Sequence, residues 1–265
     1  MCLLIAVSNV VDDAPLLVAA NRDEFYARDA EAMTVLRDAG PRILGGRDLL
    51  AGGTWMAVNQ HGVVAALTNK PTEGERDPTK RSRGEIPLLL AAHRSAAAGV
   101  DALQAAFAPG EFNPCWVLVG DRRELHYVDM TGPGRVESRL LPPGVHILEN
   151  KPLGDPSAKV DRVRDRLGDC RSGSADPVIA ALGAMVADHV MPLEAVDASE
   201  MAERQTRISA CCVHTELYGT RSSMLVCDPS PASDIPRVWV SDGPPCTHPL
   251  APVRFDQSPE VGPGR

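Results

Sequence analysis

The hydrophobic positions of this chain fall into two kinds of pattern. The first 70 residues hold short, nearly continuous apolar runs bounded by turn residues, which predict strands over Leu3–Ser8, Leu16–Ala20, Thr54–Asn59 and Val63–Thr68. Gln60-His61-Gly62 reads as a hairpin turn, so the last two strands are expected to be antiparallel neighbours. The period then changes. Ser82-x-x-Glu85 has the form of a capping box, and the run Leu88–Ala92 continues a buried helix. Strands return at Cys115–Val119 and Leu125–Val128, joined across Gly120–Arg123, and at Val145–Leu148. Ser157 is placed to cap a helix with Val160, Val163 and Leu167 on one face and Gly168 at its end. Asp176-Pro177 opens a second helix, with Val178, Leu182 and Met185 or Val186 facing inward. Strands are expected again at Ile208–Val213, Ser222–Cys227 and Val238–Val240.

Strands, helices, strands, helices, strands is not the alternation of a doubly wound parallel sheet. An α+β architecture fits better, with two antiparallel sheets stacked face to face and helices on the outsides. A single domain over 1–256 is expected, followed by a frayed polar tail over 257–265.

Composition narrows the classes of function. The 265 residues are 44% hydrophobic and 23% charged, the balance of a globular chain, and the formal net charge is -8 with no long block of like charge. That argues against non-specific binding to nucleic acid or an anionic membrane, and Lys80-Arg81-Ser82-Arg83 is too short to outweigh it. No run approaches the roughly 18 apolar residues of a membrane span, and Cys2–Val7 is too short for a secretory signal. A cytoplasmic location is expected, and the seven irregularly spaced cysteines fit free thiols rather than a disulfide framework.

The chemistry begins at Cys2. Removal of Met1 would leave one residue carrying both a nucleophilic sulfur and an α-amine, whose reference pKa of about 7.7–8.0 suits a base at neutral pH. A nearby arginine would favour the thiolate. If Leu3–Ser8 and Leu16–Ala20 pair across the Asn9–Pro15 connection, the quartet Asn21-Arg22-Asp23-Glu24 returns beside Cys2.

The opening Met-Cys, AANRDEF, LAGGTWMAVNQHGVVAALTN, the SRGE helix start and YGTRSS at 218–223 together resemble the NRDE family, also called the transport and Golgi organisation protein two family. The motifs run from residue 2 to about 226. The resemblance implies the N-terminal nucleophile (Ntn) hydrolase superfamily and its four-layer αββα sandwich, with choloylglycine hydrolase and penicillin V acylase as relatives that cleave amide bonds with an N-terminal cysteine. On that resemblance Cys2 matches the nucleophile. Arg22 and Asp23 match the residues that tune the thiol and bind the α-amine, with Glu24 or Asn21 as alternatives to Asp23. Asn69 matches an oxyanion-hole amide, Asn150 the second asparagine near the nucleophile, and Arg221 the second active-site arginine. Asn21, Glu24, Trp55 and Thr68 are expected to contact substrate. The implied activity is hydrolysis of a small amide, or acyl transfer, through a Cys2 acyl-enzyme. The alternative is a non-catalytic binding or trafficking protein for haem or an acyl-coenzyme A or lipid-type ligand, with Cys2 as an axial haem ligand. No haem-attachment motif is present, and no other cofactor is expected. A homo-oligomer is left open.

Other signals weigh less. Cys211-Cys212-x-His214 and Cys246-x-His248 resemble zinc ligands, but the spacing is not that of a CxxC knuckle, and adjacent cysteines on a strand point to opposite faces. No metal is expected. Gly45-Gly46 and Gly52-Gly53 read as turn glycines around Arg47-Asp48, near the mouth of the site. Trp55, Trp116 and Trp239 fall in apolar runs and are expected in the core, and specificity loops are expected near 25–50, 70–82 and 128–144.

Overall fold

The computed structural model describes residues 2–71, 76–191, 209–230 and 235–255. Its first sheet has six antiparallel strands, built on β1 (Cys2–Ser8) and β2 (Leu16–Phe25). Its second has seven. In chain order these are β3 (Ala30–Arg37), β4 (Ile43–Asp48), β5 (Met56–Asn59), β6 (Val64–Asn69), β7 (Cys115–Gly120), β8 (Leu125–Asp129) and β9 (Glu137–Leu140), each paired with the next. The first sheet is completed by β10 (Gly144–Leu148), β11 (Tyr218–Asp228), β12 (Arg237–Ser241) and β13 (Ala251–Val253), in the order β10-β1-β2-β11-β12-β13.

The expected αββα sandwich is present, and side-chain parity explains it. Along β1 and β2 the even positions Leu4, Ala6, Val18 and Ala20 join Val64, Ala66 and Leu118 of the other sheet in the central core. The odd positions Leu3, Ile5, Leu17 and Ala19 face α3 (Ala158–Leu167) and α4 (Ala175–Val186). On the other side, Val63, Ala65, Val117 and Val119 pack on α1 (Glu85–Leu90) and α2 (Ala96–Ala106). A strand covered on both faces has no polar side, so β1 reads as a continuous apolar run and not an alternating one.

Several local expectations change. Glu85 is the first residue of α1 and the residue before it is Gly84, so Ser82 and Glu85 form no capping box; Arg81 pairs with Glu85 instead. Ser157 does cap α3, accepting from Val160 N at 3.3 Å. The α4 cap is Ser174, two residues before Asp176. Residues 209–213 are irregular where a strand was expected, and Ile208 and the 257–265 tail lie outside the described residues. Gly45 and Gly46 are strand residues of β4. A Cβ at Gly46 would lie 1.9 Å from Trp55 Cζ2, so the glycine lets the indole lie against the strand. Trp116 is core, whereas Trp55 and Trp239 are only partly buried.

Candidate active site

The β1–β2 register pairs Cys2 with Arg22. Both occupy even positions, so they continue the inter-sheet core face at its open end, where apolar side chains give way to a thiol and a guanidinium. A cavity of 320 Å³ opens there, lined by Cys2, Arg22, Asp23, Glu24, Trp55 and Asn69 among others. Six of the ten expected site residues therefore meet in one cavity.

Arg22 is 4% exposed, and its guanidinium sits 4.6 Å over the Trp55 ring. Such a contact contributes about 0.5–2 kcal/mol. Asp48 Oδ2 is 3.8 Å from Nη2, an ion pair beyond hydrogen-bond length. Both Nη atoms are buried without a hydrogen-bond partner. A buried guanidinium with two nitrogens that make no hydrogen bond is a costly arrangement that an anionic or carbonyl group would relieve. Burial lowers the Arg22 pKa, opposed by Glu24, Cys2 and Asp48.

Around Cys2 the backbone N donates to Asn150 Oδ1 at 2.8 Å, while Asn150 Nδ2 donates to Asn69 O. Asn150 thus spends both ends of its amide orienting the Cys2 nitrogen and the end of β6, rather than aiming a donor at an oxyanion. Asn69 lines the cavity itself. Burial pushes the Cys2 thiol up, as does Asp23, while the Asp23 backbone N–H and Arg22 pull it down. Asp23 is 3% exposed, and burial raises its pKa against Lys159, Arg22 and the Thr220 hydroxyl, which donates to Oδ1 at 2.6 Å.

The structure places three expected residues off the cavity. Asn21 lies on the opposite face of β2, donating to the carbonyls of Val186 and Cys211, and joins α4 to the sheet. Thr68 donates to Glu149 O at 2.9 Å, tying β6 to the segment that carries Asn150. Arg221 sits in a β-bulge, between the pairs Thr220–Asp23 and Ser222–Arg22. A bulge turns its residue out of the alternating pattern, and Arg221 donates to the carbonyls of Phe25 and Arg28. The same bulge aims Thr220 at Asp23.

Other cavity residues come from the expected pocket-lining stretches 25–50 and 70–82, which contribute Arg28, Asp48, Arg76 and Ser82, although none of these was expected as a site residue by itself. Asp48 bonds Arg28 Nε at 2.7 Å and the Ala51 and Leu50 N–H groups; burial raises its pKa, and these contacts more than reverse the effect. Arg76, Ser82 and Arg83 reach the cavity from the stretch leading to α1. Burial lowers the Arg83 pKa, against Cys115 and Cys2. Of the expected specificity loops, 128–144 contributes nothing to this cavity. The three His and Cys side chains within metal-ligand reach of one another among the described residues lie outside it as well. No described helix is long and apolar enough to cross a membrane.

The comparisons with known proteins agree with this frame. Among solved structures, a mutant of conjugated bile acid hydrolase from Clostridium perfringens matches with a TM-score of 0.52 at 13% identity, covering 97% of this chain and 95% of that one. A second variant of the same enzyme matches with a TM-score of 0.54 at 12% identity and the same coverage. At such identity the likeness is one of fold, that of the Ntn hydrolases. In sequence, the Transport and Golgi organization protein 2 homolog of Bos taurus is 27% identical over 227 residues, covering 80% of this chain and 81% of its own length. The mouse homolog is 39% identical over 74 residues, 27% of this chain and 26% of that protein. The family described as Transport and Golgi organisation 2 matches residues 1–230. The chain belongs to the Transport and Golgi organisation 2 family.

Proposed function

We propose that this chain cleaves or transfers the acyl group of a small amide or acyl substrate, with Cys2 as an N-terminal nucleophile after loss of Met1. The observation that carries this reading is the meeting of Cys2, whose nitrogen is fixed by Asn150, with the guanidinium of Arg22, whose Nη atoms lack a hydrogen-bond partner, in one cavity. In this mechanism the α-amine takes the Cys2 proton, Sγ attacks the carbonyl, and the amine returns the proton to the leaving group as its bond to the carbonyl carbon breaks. Water, or an acceptor nucleophile, then attacks the thioester, frees the acyl group and restores the Cys2 thiol. Arg22 and Asn69 are the cavity groups available to the developing oxyanion. Removing one such donor typically costs about 2.7–4 kcal/mol. Asp23, held by Thr220, offsets the charge that appears on the amine during attack.

The two bile acid hydrolase structures support the reading through their shared fold. The competing reading is trafficking of haem or an acyl-coenzyme A or lipid-type ligand, of which haem and a lipid need a broad apolar face. Arginines and carboxylates around this cavity favour a small polar acyl group instead.

Intact-mass analysis of active protein tests the mechanism: loss of one Met is expected, and full activity with Met1 retained overturns it. In a haem titration, a Soret shift abolished by Cys2→Ala would favour the competing reading.

A further inference from the structure

Away from this cavity, three of the cysteine and histidine side chains that resemble zinc ligands in the sequence, and for which no metal is expected from their spacing, come together. Cys212 and His214 precede β11, and Cys246 lies in the loop after β12. Cys212 Sγ is 3.7 Å from Cys246 Sγ and 3.5 Å from His214 Nε2, and His214 Nε2 is 3.1 Å from Cys246 Sγ. A tetrahedral zinc ion, with Zn–S of about 2.3 Å and Zn–N of about 2.0–2.1 Å, sets sulfur from sulfur at about 3.8 Å and sulfur from nitrogen at about 3.5 Å. Two of the three edges match. The third is shorter, at the length of an S–H···N hydrogen bond, and a cation would open it.

We propose that Cys212, His214 and Cys246 form a zinc-binding site. Two thiolates and an imidazole are a donor set suited to Zn²⁺. Binding forms two Zn–S bonds and one Zn–N bond through Nε2, and releases both thiol protons to solvent with no change of oxidation state. Cys212 is buried, Cys246 half-buried and His214 exposed, so the fourth position faces water. Cys211 points the other way, into the core beneath α4. Only one member of the cysteine pair is therefore a ligand, which is why the expectation of opposite faces does not exclude the site.

The position of this site gives zinc a role. Val213, between the first two ligands, donates its N–H to Thr220 Oγ1 at 2.8 Å, and that hydroxyl donates to Asp23 Oδ1 at 2.6 Å. The neighbouring Cys211 carbonyl accepts from Asn21. Zinc would clamp the 211–219 segment to the 241–248 loop and so hold Thr220 on Asp23. The site lies outside the candidate acyl chemistry and stands or falls independently of it.

The test is metal analysis of the reduced full chain after addition of one equivalent of Zn²⁺ and desalting, with Co²⁺ substitution as an optical readout. One zinc per chain and tetrahedral cobalt bands with thiolate charge-transfer absorption are expected. Cys246→Ser should weaken zinc binding by more than the roughly 10–100-fold that loss of a ligand's outer hydrogen-bond partner costs, whereas Cys170→Ser should leave it unchanged. Cys246 is in a half-buried loop, and circular dichroism establishes that the variant is folded. As a check on the wild-type chain, zinc should protect Cys246 from alkylation. No zinc at one equivalent, unchanged affinity in folded Cys246→Ser, or a Cys212–Cys246 disulfide formed in the presence of zinc would each overturn the proposal.

Discussion

Each sheet contains a strand that begins on a buried cysteine, and the two cysteines differ in what surrounds them. Cys2 opens β1 opposite Arg22, and Cys115 opens β7 opposite Asn69. Arg83 interacts electrostatically with both. Burial raises both thiols, Cys115 to about 12. Neither is a nucleophile by acidity alone. Cys115 is fully enclosed beneath α1 and α2, where it fills space. Cys2 has a cavity in front of it, a nitrogen of its own held by Asn150, and a guanidinium with unused donors. On the proposed mechanism, access and the α-amine freed by loss of Met1 would separate Cys2 from the inert thiol, more than resting charge does.

The largest effect that would break this comparison concerns the thiols themselves. Cys2→Ala is expected to abolish covalent labelling by acyl probes and all turnover. Cys115→Ala should leave labelling intact while lowering stability by about 1 kcal/mol, read by denaturant titration. Peptide mapping that finds the probe on Cys115 would invert the assignment.

Arg22→Gln sharpens the contrast next. It removes the guanidinium donors but keeps the thiol, and kcat/KM for an acyl substrate should fall about 100- to 1000-fold, the equivalent of roughly 2.7–4 kcal/mol for loss of an oxyanion donor. Equal rates for variant and wild type would show that the guanidinium only packs on Trp55.

A smaller effect, and one that depends on pH, is expected for Thr220→Val. The Thr220 hydroxyl lowers the Asp23 pKa against burial, so its loss pushes that carboxyl further above its unfolded value of about 3.9. A carboxyl raised in the folded state costs stability above its folded pKa, and the cost fades as pH falls toward the unfolded value. Thr220→Val should therefore destabilise by about 1–3 kcal/mol at pH 7 and by less at pH 4. An equal loss at both pH values would mean that Asp23 does not sense the hydroxyl.

The elements read easily from sequence were those whose residues are buried on both faces. β1, β2, β6, β7 and the inner part of β11 are continuous apolar runs, and the pairing of Cys2 with Arg22 followed from a short antiparallel connection. β3 and β9 escaped because their residues are half-buried or exposed and carry little apolar signal. β4 was hidden by Gly45-Gly46, which resemble a turn but serve close packing. α2 is mostly alanine and small residues, so its apolar face is faint. At the site, the residues next to Cys2 through the hairpin were legible. Asp48 was legible only as part of a loop near the mouth of the site and Arg83 only as part of the helix-start motif, since tertiary packing aims their side chains. The one-residue bulge that turns Arg221 away from the cavity lining leaves no mark in the motif. The meeting of His214 with Cys246, from separate segments, is likewise a product of the fold.

Gly46 sets a limit on how this cavity can change. The missing methyl is what allows the Trp55 indole to lie flat along the strand, and with it the guanidinium stacked above. Any larger residue there must displace the ring, which forms part of the cavity wall. One wall of the cavity is thus set by a backbone position that does not itself line it.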